Sequence, residues 1–314
     1  MKRLRVAIQM DPIASINPRT DTTLLLGVEA IRRGYEVFYY VPSALTFKAG
    51  EVIAQAHPIE LRNNPDDYHT LGESLTLNLT EMDVVLMRQD PPFDMAYITA
   101  THLLEMLAPR TLVVNDPAAV RNTPEKLFMF QFPQFVPPTL ITRDAHAIEE
   151  FLKEHGHIVI KPLYGYAGHS VFSVKQGDTN LHALLEMFLG LSKEPVIAQR
   201  FLPEIRTMDK RILVIDGKIS AVLGRVAAAD DIRVNMRVGG QGVKTEPTAR
   251  DIAIGETVGA ELARRGIVLA GLDVIGEYLV EANVTCPTGF VRSNALYGLK
   301  QESIFWDAVE KRLN

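Results

Sequence analysis

Short, almost wholly apolar runs over 4–10, 36–40, 83–87 and 111–115 are separated by segments 22–33 and 96–107, whose apolar positions recur at helical spacing. Strands alternating with helices predict a mostly parallel α/β sheet for the first part of the chain. In such a sheet the ligand surface lies on the loops at the carboxyl ends of the strands. Two of those loops, 11–21 and 88–94, are unusually polar. Arg88 opens the second, where it is either a bidentate clamp for a substrate carboxylate or a structural partner of Asp90 or Asp94. The stretch between residues 40 and 83 has an irregular pattern and predicts no element.

The pattern changes after about residue 122. Helical periodicity over 124–130, 145–155 and 181–191 now alternates with short strands over 139–142, 158–161, 171–174 and 196–201. Strands 211–216 and 218–226 face each other across Asp216-Gly217, a strong hairpin turn. This is an α+β region built on antiparallel sheet. The expected units are 1–122, 123–202 and 203–314, with no internal repeat or low-complexity tract.

Chemistry concentrates in a second hairpin over 270–289. Asp273 lies in a buried apolar strand, Gly276-Glu277 signals the turn, and Glu281 and Asn283 lie two apart on the returning strand, so both point to one face. If the strands pair near the turn, Asp273 joins them. Two carboxylates and a carboxamide are hard oxygen donors that suit Mg²⁺, with Mn²⁺ the alternative ion. The competing reading is an acidic hairpin with ordinary exposed carboxylates.

Composition removes other classes. A net charge of −5 on 314 residues gives no electrostatic footprint for nucleic acid. The apolar run at 6–10 is too short for a signal or membrane segment, so a cytoplasmic protein with no membrane partner is expected. The single cysteine, Cys286, excludes an intrachain disulfide and a multi-cysteine metal site. It reads as a small residue in a tight loop rather than a nucleophile.

Two lysines complete the candidate set. Lys126 opens the expected helix after Asn122-Thr123-Pro124-Glu125. Lys161 ends a strand and precedes a loop containing Gly165 and Gly168. A lysine at a strand end can place a point charge on nucleotide phosphates, and loop N–H groups can wrap them. No Walker sequence is present. Taken alone, this feature reads more readily as an ordinary surface turn.

The order of the pieces is more specific than any one of them. Lys126, Lys161, the glycine loop, 198–202, Asp209-Lys210-Arg211, Arg225, Asp273, Glu281 and Asn283 resemble an ATP-grasp ligase. The chain further resembles the bacterial glutathione synthetase family along nearly its full length. MDPI (10–13), MRQDPPFD (87–94), VVNDPAAVRNTPEKLF (113–128), VIKPLYG (159–165), DKRILV (209–214), GLDVIG (271–276) and EANVTCPTG (281–289) carry that resemblance.

The resemblance implies a pre-ATP-grasp domain followed by two α+β subdomains that hold ATP between them. It implies a reaction in which the γ-glutamylcysteine carboxylate is phosphorylated by ATP and glycine displaces the phosphate. Lys126, Lys161, Gly165, Gly168 and Asp209 would serve the nucleotide, and Gln199, Arg200, Phe201 and Leu202 the adenine hinge. Asp273, Glu281 and Asn283 would hold Mg²⁺. Arg211 and Arg225 would neutralise the transferring phosphate and the acyl phosphate, and Arg233, on a lid over 226–242, would approach the bound substrates. A homo-oligomer is expected. The chain departs from the family pattern at Ala167, Ala227, Ala229-Asp230-Asp231, Ala282, Cys286 and the run after Gly289. These departures leave open a sibling amide ligase with another amine or acyl donor. A nucleotide-binding protein without catalysis ranks last, since the lysines and metal ligands are all present.

Overall fold

A computed structural model describes residues 3–165, 170–226 and 241–313. The first sheet contains β1 (Arg5–Gln9), β2 (Glu36–Tyr40), β3 (Leu45–Lys48), β4 (Glu51–Leu61), β5 (His69–Leu71), β6 (Leu75–Asn78), β7 (Val84–Met87) and β8 (Leu112–Val114), ordered β3-β4-β2-β1-β7-β8. β2, β1, β7 and β8 are parallel. Apolar cores cover both faces of this part, which explains why these strands read as unbroken apolar runs. Helices α1 (Thr22–Arg32), α2 (Met95–Glu105) and α3 (Pro117–Arg121) begin at Asp21, Asp94 and Asp116. Each of those carboxylates accepts from an N–H three residues on.

The segment between 40 and 83 is not irregular. β4 runs antiparallel to β2, β3, β5 and β6, widening the parallel sheet into a mixed one. Val52, Ala54 and Ala56 alternate inward as a strand requires. Pro58 interrupts the propensity but not the strand, because its carbonyl still accepts from Gly72.

The second sheet, β11-β10-β12-β9, is antiparallel. It contains β9 (Thr139–Thr142), β10 (His157–Pro162), β11 (Phe172–Lys175) and β12 (Val196–Arg200). Helices α4 (Ala145–His155) and α5 (Leu181–Leu191) share its separate core, which includes Ile148, Leu152, Ile160 and Phe188. The expected helix over 124–130 is instead a turn followed by a 3₁₀ segment, Phe128–Gln131. Lys126 therefore sits in a turn, bracketed by Pro124 and a close cluster of aromatic rings.

The third sheet is the meander β15-β14-β13-β16-β17. Its strands are β13 (Asp209–Ile215), β14 (Lys218–Val226), β15 (Gln241–Lys244), β16 (Leu269–Ile275) and β17 (Tyr278–Asn283). Asp216 and Gly217 both have positive φ, 48° and 78°, which the tight β13–β14 turn demands. Helix α6 (Ala249–Arg264) starts with a capping box, Thr248 with Asp251, and covers one face of this sheet. Helices α7 (Phe290–Tyr297) and α8 (Gln301–Leu313) pack between the third sheet and α1, with Trp306 fully buried and its indole N–H on the Leu26 carbonyl.

One side chain makes four of the hydrogen bonds that fasten the third sheet to the first. Asn115, just past β8, donates to the carbonyls of Leu269 and Val284 and accepts from the N–H groups of Val268 and Leu269, at 2.7–2.9 Å. Both donors and both lone pairs of its carboxamide are used on the roots of the β16–β17 hairpin.

Candidate active site

Strand alternation sorts the third sheet into two chemistries. Ile212, Val214, Val222, Leu272 and Val274 point toward α6. The intervening residues point the other way: Asp209 and Arg211 from β13, Arg225 from β14, Asp273 from β16, and Glu281 and Asn283 from β17. Register brings them together, because Asp209 faces Arg225, Arg211 faces Asp273, and Asp273 faces Glu281.

The sequence-predicted hairpin is thus assembled, and its carboxylates are paired rather than exposed. Arg211 binds both oxygens of Asp273, Nε at 2.5 Å and Nη2 at 2.9 Å. Arg225 grips Asp209 with the same two-point geometry and also reaches Asp273 at 3.1 Å. Asn283 donates to Asp273 at 3.3 Å. Gly271 is required beneath Arg211, since a Cβ there would lie 2.6 Å from Arg211 Nη1. Burial disfavours charge on Arg225, but Asp273 and Asp209 outweigh it and raise its pKa.

The lysines meet the same face from the side of the second sheet. Lys161 Nζ lies 3.2 Å from Glu281 Oε1 and Lys126 Nζ 3.5 Å from the same oxygen. Lys126 also binds Glu125 at 2.5 Å and the Gly165 carbonyl at 2.6 Å. The turn that carries it is docked on β17 by Ala282 N–H donating to the Glu125 carbonyl. Burial opposes ionisation of Glu281, yet Lys126 and Lys161 hold its pKa down at about 2. Burial pushes Glu125 up to about 7, helped by the negative charge of Glu281. Lys126 is also buried, which lowers its pKa, but Glu281 and Glu125 raise it further. Glu125 was named in the sequence only as the neighbour of Lys126; a carboxylate directly before a lysine expected to meet phosphate was the signal available.

The hinge candidates follow β12. Gln199 is buried and donates to Thr139, while Arg200 reaches the Tyr278 hydroxyl at 3.0 Å. Phe201 stacks on His157 with centroids 3.9 Å apart, and Leu202 is buried. The N–H groups of Arg200 and Phe201 are engaged by Pro138 and His157. Gly168 and Arg233 lie outside the described residues, as does all but the ends of the lid expected over 226–242.

Beside this charged face, a cavity of about 700 Å³ lies against the carboxyl ends of β1 and β7. Its lining includes Asp11, Asp21, Arg88, Asp90, Cys286 and Arg292. Arg88 does not rest on Asp94. It donates to Thr23 Oγ1 at 3.1 Å and to the Pro287 carbonyl at 2.9 Å, which ties β7 to the loop after β17. The Cys286 thiol donates to the Arg88 carbonyl, and burial pushes its pKa upward, so it lacks the thiolate a nucleophile needs. A cavity of similar size, about 650 Å³, lies at the opposite end of the sheet, beside Leu4, Asp83 and Leu112.

Hard donors on one face, two lysines beside them and a cavity bearing both signs of charge constitute the equipment of an ATP-dependent carboxylate–amine ligase. The fold is shared with solved ATP-grasp structures. D-cycloserine synthetase DcsG matches with a TM-score of 0.70 at 16% identity, over 99% of this chain and all of that one. The macrocyclase MdnC of Microcystis aeruginosa, bound to its precursor peptide, matches at 0.65 and 16%, over 98% and 99%.

Sequence narrows this class further. The prokaryotic glutathione synthetase N-terminal domain matches residues 4–121, and the ATP-grasp domain of the same family matches residues 125–298. Glutathione synthetase of Brucella melitensis is 50% identical over 98% of this chain and 99% of its own length. That of Mesorhizobium japonicum is 48% identical over 98% of each. The chain belongs to the prokaryotic glutathione synthetase family. Enzymes of this family use ATP, a divalent metal ion and small-molecule substrates. No helix among the described residues is long and apolar enough to cross a membrane.

Proposed function

We propose that this chain is a glutathione synthase whose third sheet divides the work by side chain. The chain joins γ-glutamylcysteine to glycine at the expense of ATP. A carboxylate oxygen of the dipeptide attacks the γ-phosphorus and ADP leaves. The glycine nitrogen then attacks the acyl carbon, inorganic phosphate departs with the C–O bond electrons, and the amide forms with loss of an ammonium proton. Lys126 and Lys161 exchange their contacts to Glu125 and Glu281 for phosphate oxygens. Gly165 and Gly168 shape the phosphate loop, and backbone groups of 199–202 read the adenine edge. Arg211 and Arg225 carry positive charge to the transferring phosphate, where Arg233 joins them, and Asp209 fixes Arg225.

The donor set fits a hard divalent cation. Asp273 and Glu281 are cross-strand partners, every donor is an oxygen, and cationic side chains now lie against both carboxylates. Among the described residues no group of three His, Cys, Asp or Glu side chains converges, so Asn283 completes the set. Asp273, Glu281 and Asn283 would hold Mg²⁺, which supplies neutralisation of phosphate charge when bound. The dipeptide occupies the cavity of about 700 Å³, whose acidic and basic lining suits a zwitterionic amino-acid head. The reading assigns residues 1–122 to the acyl donor and 123–202 and 203–314 to the nucleotide, in a cytoplasmic homo-oligomer.

One observation carries this reading: Lys126, Lys161 and Glu281 converge on one point between the second and third sheets. The test is phosphate release with ATP and γ-glutamylcysteine, screened across amino acids and simple amines. Glycine is expected to dominate the screen. A stronger response to another amine, or none to any, would refute the assignment.

A further inference from the structure

The cationic residues of the cavity are not equivalent. Arg88 is buried in its wall, with two of its nitrogens committed to Thr23 and Pro287 and Asp21 and Asp90 close by. Arg19 lies 3.6 Å from Asp66 and is largely exposed. Arg292 differs from both. Its Nε and Nη2 donate to a single acceptor, the Gly242 carbonyl, at 2.9 and 2.6 Å. Among the described residues it has no carboxylate partner, and Nη1 makes no hydrogen bond to any of them.

Gly242 is the cross-strand neighbour of Arg225 on the edge of the third sheet. Its backbone leaves room for Arg292, because a Cβ on Gly242 would lie 2.7 Å from the Arg292 Cγ. The guanidinium is therefore fixed at the end of the cavity nearest Arg225 and Asp273, where an acyl phosphate is formed on the proposed reading. An amine attacking that acyl group must enter on this side, since the walls at Arg88 and Asp21 belong to the donor. The amine is an amino acid, and its carboxylate needs a fixed, unpaired cation at the entrance.

We propose that Arg292 binds the carboxylate of the acceptor amino acid and so determines that an amino acid, rather than a simple amine, is joined. This rests on the ligase reading and goes beyond it by naming the residue that selects the second substrate. The carbonyl of Gly242 orients the guanidinium, and the free edge of the fork meets the carboxylate. An acceptor lacking that group leaves Arg292 without a partner, which is the situation in which binding sites discriminate well.

The test compares wild type with Arg292→Ala and Arg292→Lys, using glycine and glycinamide as acceptors. Wild-type turnover with γ-glutamylcysteine and glycine first checks the ligase reading on its own. In the alanine variant the KM for glycine should rise at least tenfold, with the KM for ATP and for γ-glutamylcysteine within twofold of wild type. The preference for glycine over glycinamide, as a ratio of kcat/KM, should fall by a similar factor. The lysine variant keeps the charge without the fork and should recover part of both losses. A rise in the dipeptide KM instead would assign Arg292 to the donor, against the proposal. An unchanged glycine KM, or equal losses with glycine and glycinamide, would likewise overturn it.

Discussion

The two faces of the third sheet are made by the same five strands and obey opposite rules. Toward α6, Ile212, Val214, Leu272 and Val274 are buried among apolar neighbours, where every removed methylene costs stability. On the other face, Asp209, Arg211, Arg225 and Asp273 are almost as buried, yet each is paired with a side chain of opposite type. Buried ion pairs are a poor route to stability, because desolvation offsets most of their attraction. On the proposed reading they are kept for chemistry rather than for stability. Strand alternation lets one element hold the fold with its even residues and present the proposed phosphate site with its odd ones.

The largest effect should come from the charged face. Glu281→Gln preserves shape but removes one of two carboxylates from the donor set and the common counter-ion of Lys126 and Lys161. Turnover should fall by two to three orders of magnitude, on the order of what loss of one key electrostatic group costs. Circular dichroism should show an unchanged fold, and full activity of the variant would remove Glu281 from the site. On the opposite face, Leu272→Ala should cost about 2–5 kcal/mol in stability, with kcat of the folded protein nearly unchanged. Denaturant titration beside steady-state rates separates the two. A variant of normal stability and lost activity would invert the comparison.

The sequence was most legible where period and chemistry coincided. Glu281 and Asn283 could be placed on one face because two-residue alternation needs no tertiary information, while Asp273 joined them only on the condition that the hairpin pairs near its turn, as it does. The hairpin turn at Asp216-Gly217 was equally plain. What failed depended on partners far along the chain. The 40–83 segment becomes sheet because β4 pairs with β2 and β6, and Pro58 obscured its alternation. Lys126 sits in a turn rather than a helix because its place is set by Gly165 and Glu281, 39 residues ahead in the first case. Arg88 could be recognised as a cation at a strand end, but neither Thr23 nor Pro287 could be named as its partners. Asn115 lay inside a quoted motif with no role attached, since its four bonds all go to backbone more than 150 residues away.

A smaller effect is expected at the junction of the second and third sheets. Lys161→Met keeps most of the stem volume and loses the charge, so affinity for a non-hydrolysable ATP analogue should drop about ten- to a hundredfold. Affinity for γ-glutamylcysteine should change less. Calorimetric titration measures both, and equal losses would show that Lys161 does not act on the nucleotide alone.

The smallest effect concerns a carboxylate that serves only the fold. Glu29 on α1 binds Arg32, Arg33 and Ser303 of α8, and hydrogen bonds from Arg32 lead the causes that lower its pKa from about 4.5 to about 2. A depressed carboxylate stabilises the folded state above its unfolded pKa and loses that contribution as pH falls through the folded one. Wild type should therefore melt about 2 °C above Glu29→Gln at pH 6, with the gap closing between pH 4.5 and 2. Activity at neutral pH should be untouched. A gap that persists at pH 2 would locate the stabilisation elsewhere.

The division of labour on the third sheet stands most directly on whether its charged face holds a metal–nucleotide complex. Manganese binding, followed by electron paramagnetic resonance with a non-hydrolysable ATP analogue present, reads this without turnover. Wild type should bind the ion with nucleotide, Glu281→Gln at least tenfold more weakly, and Leu272→Ala as wild type does while folded. Equal manganese binding by wild type and Glu281→Gln would contradict the account.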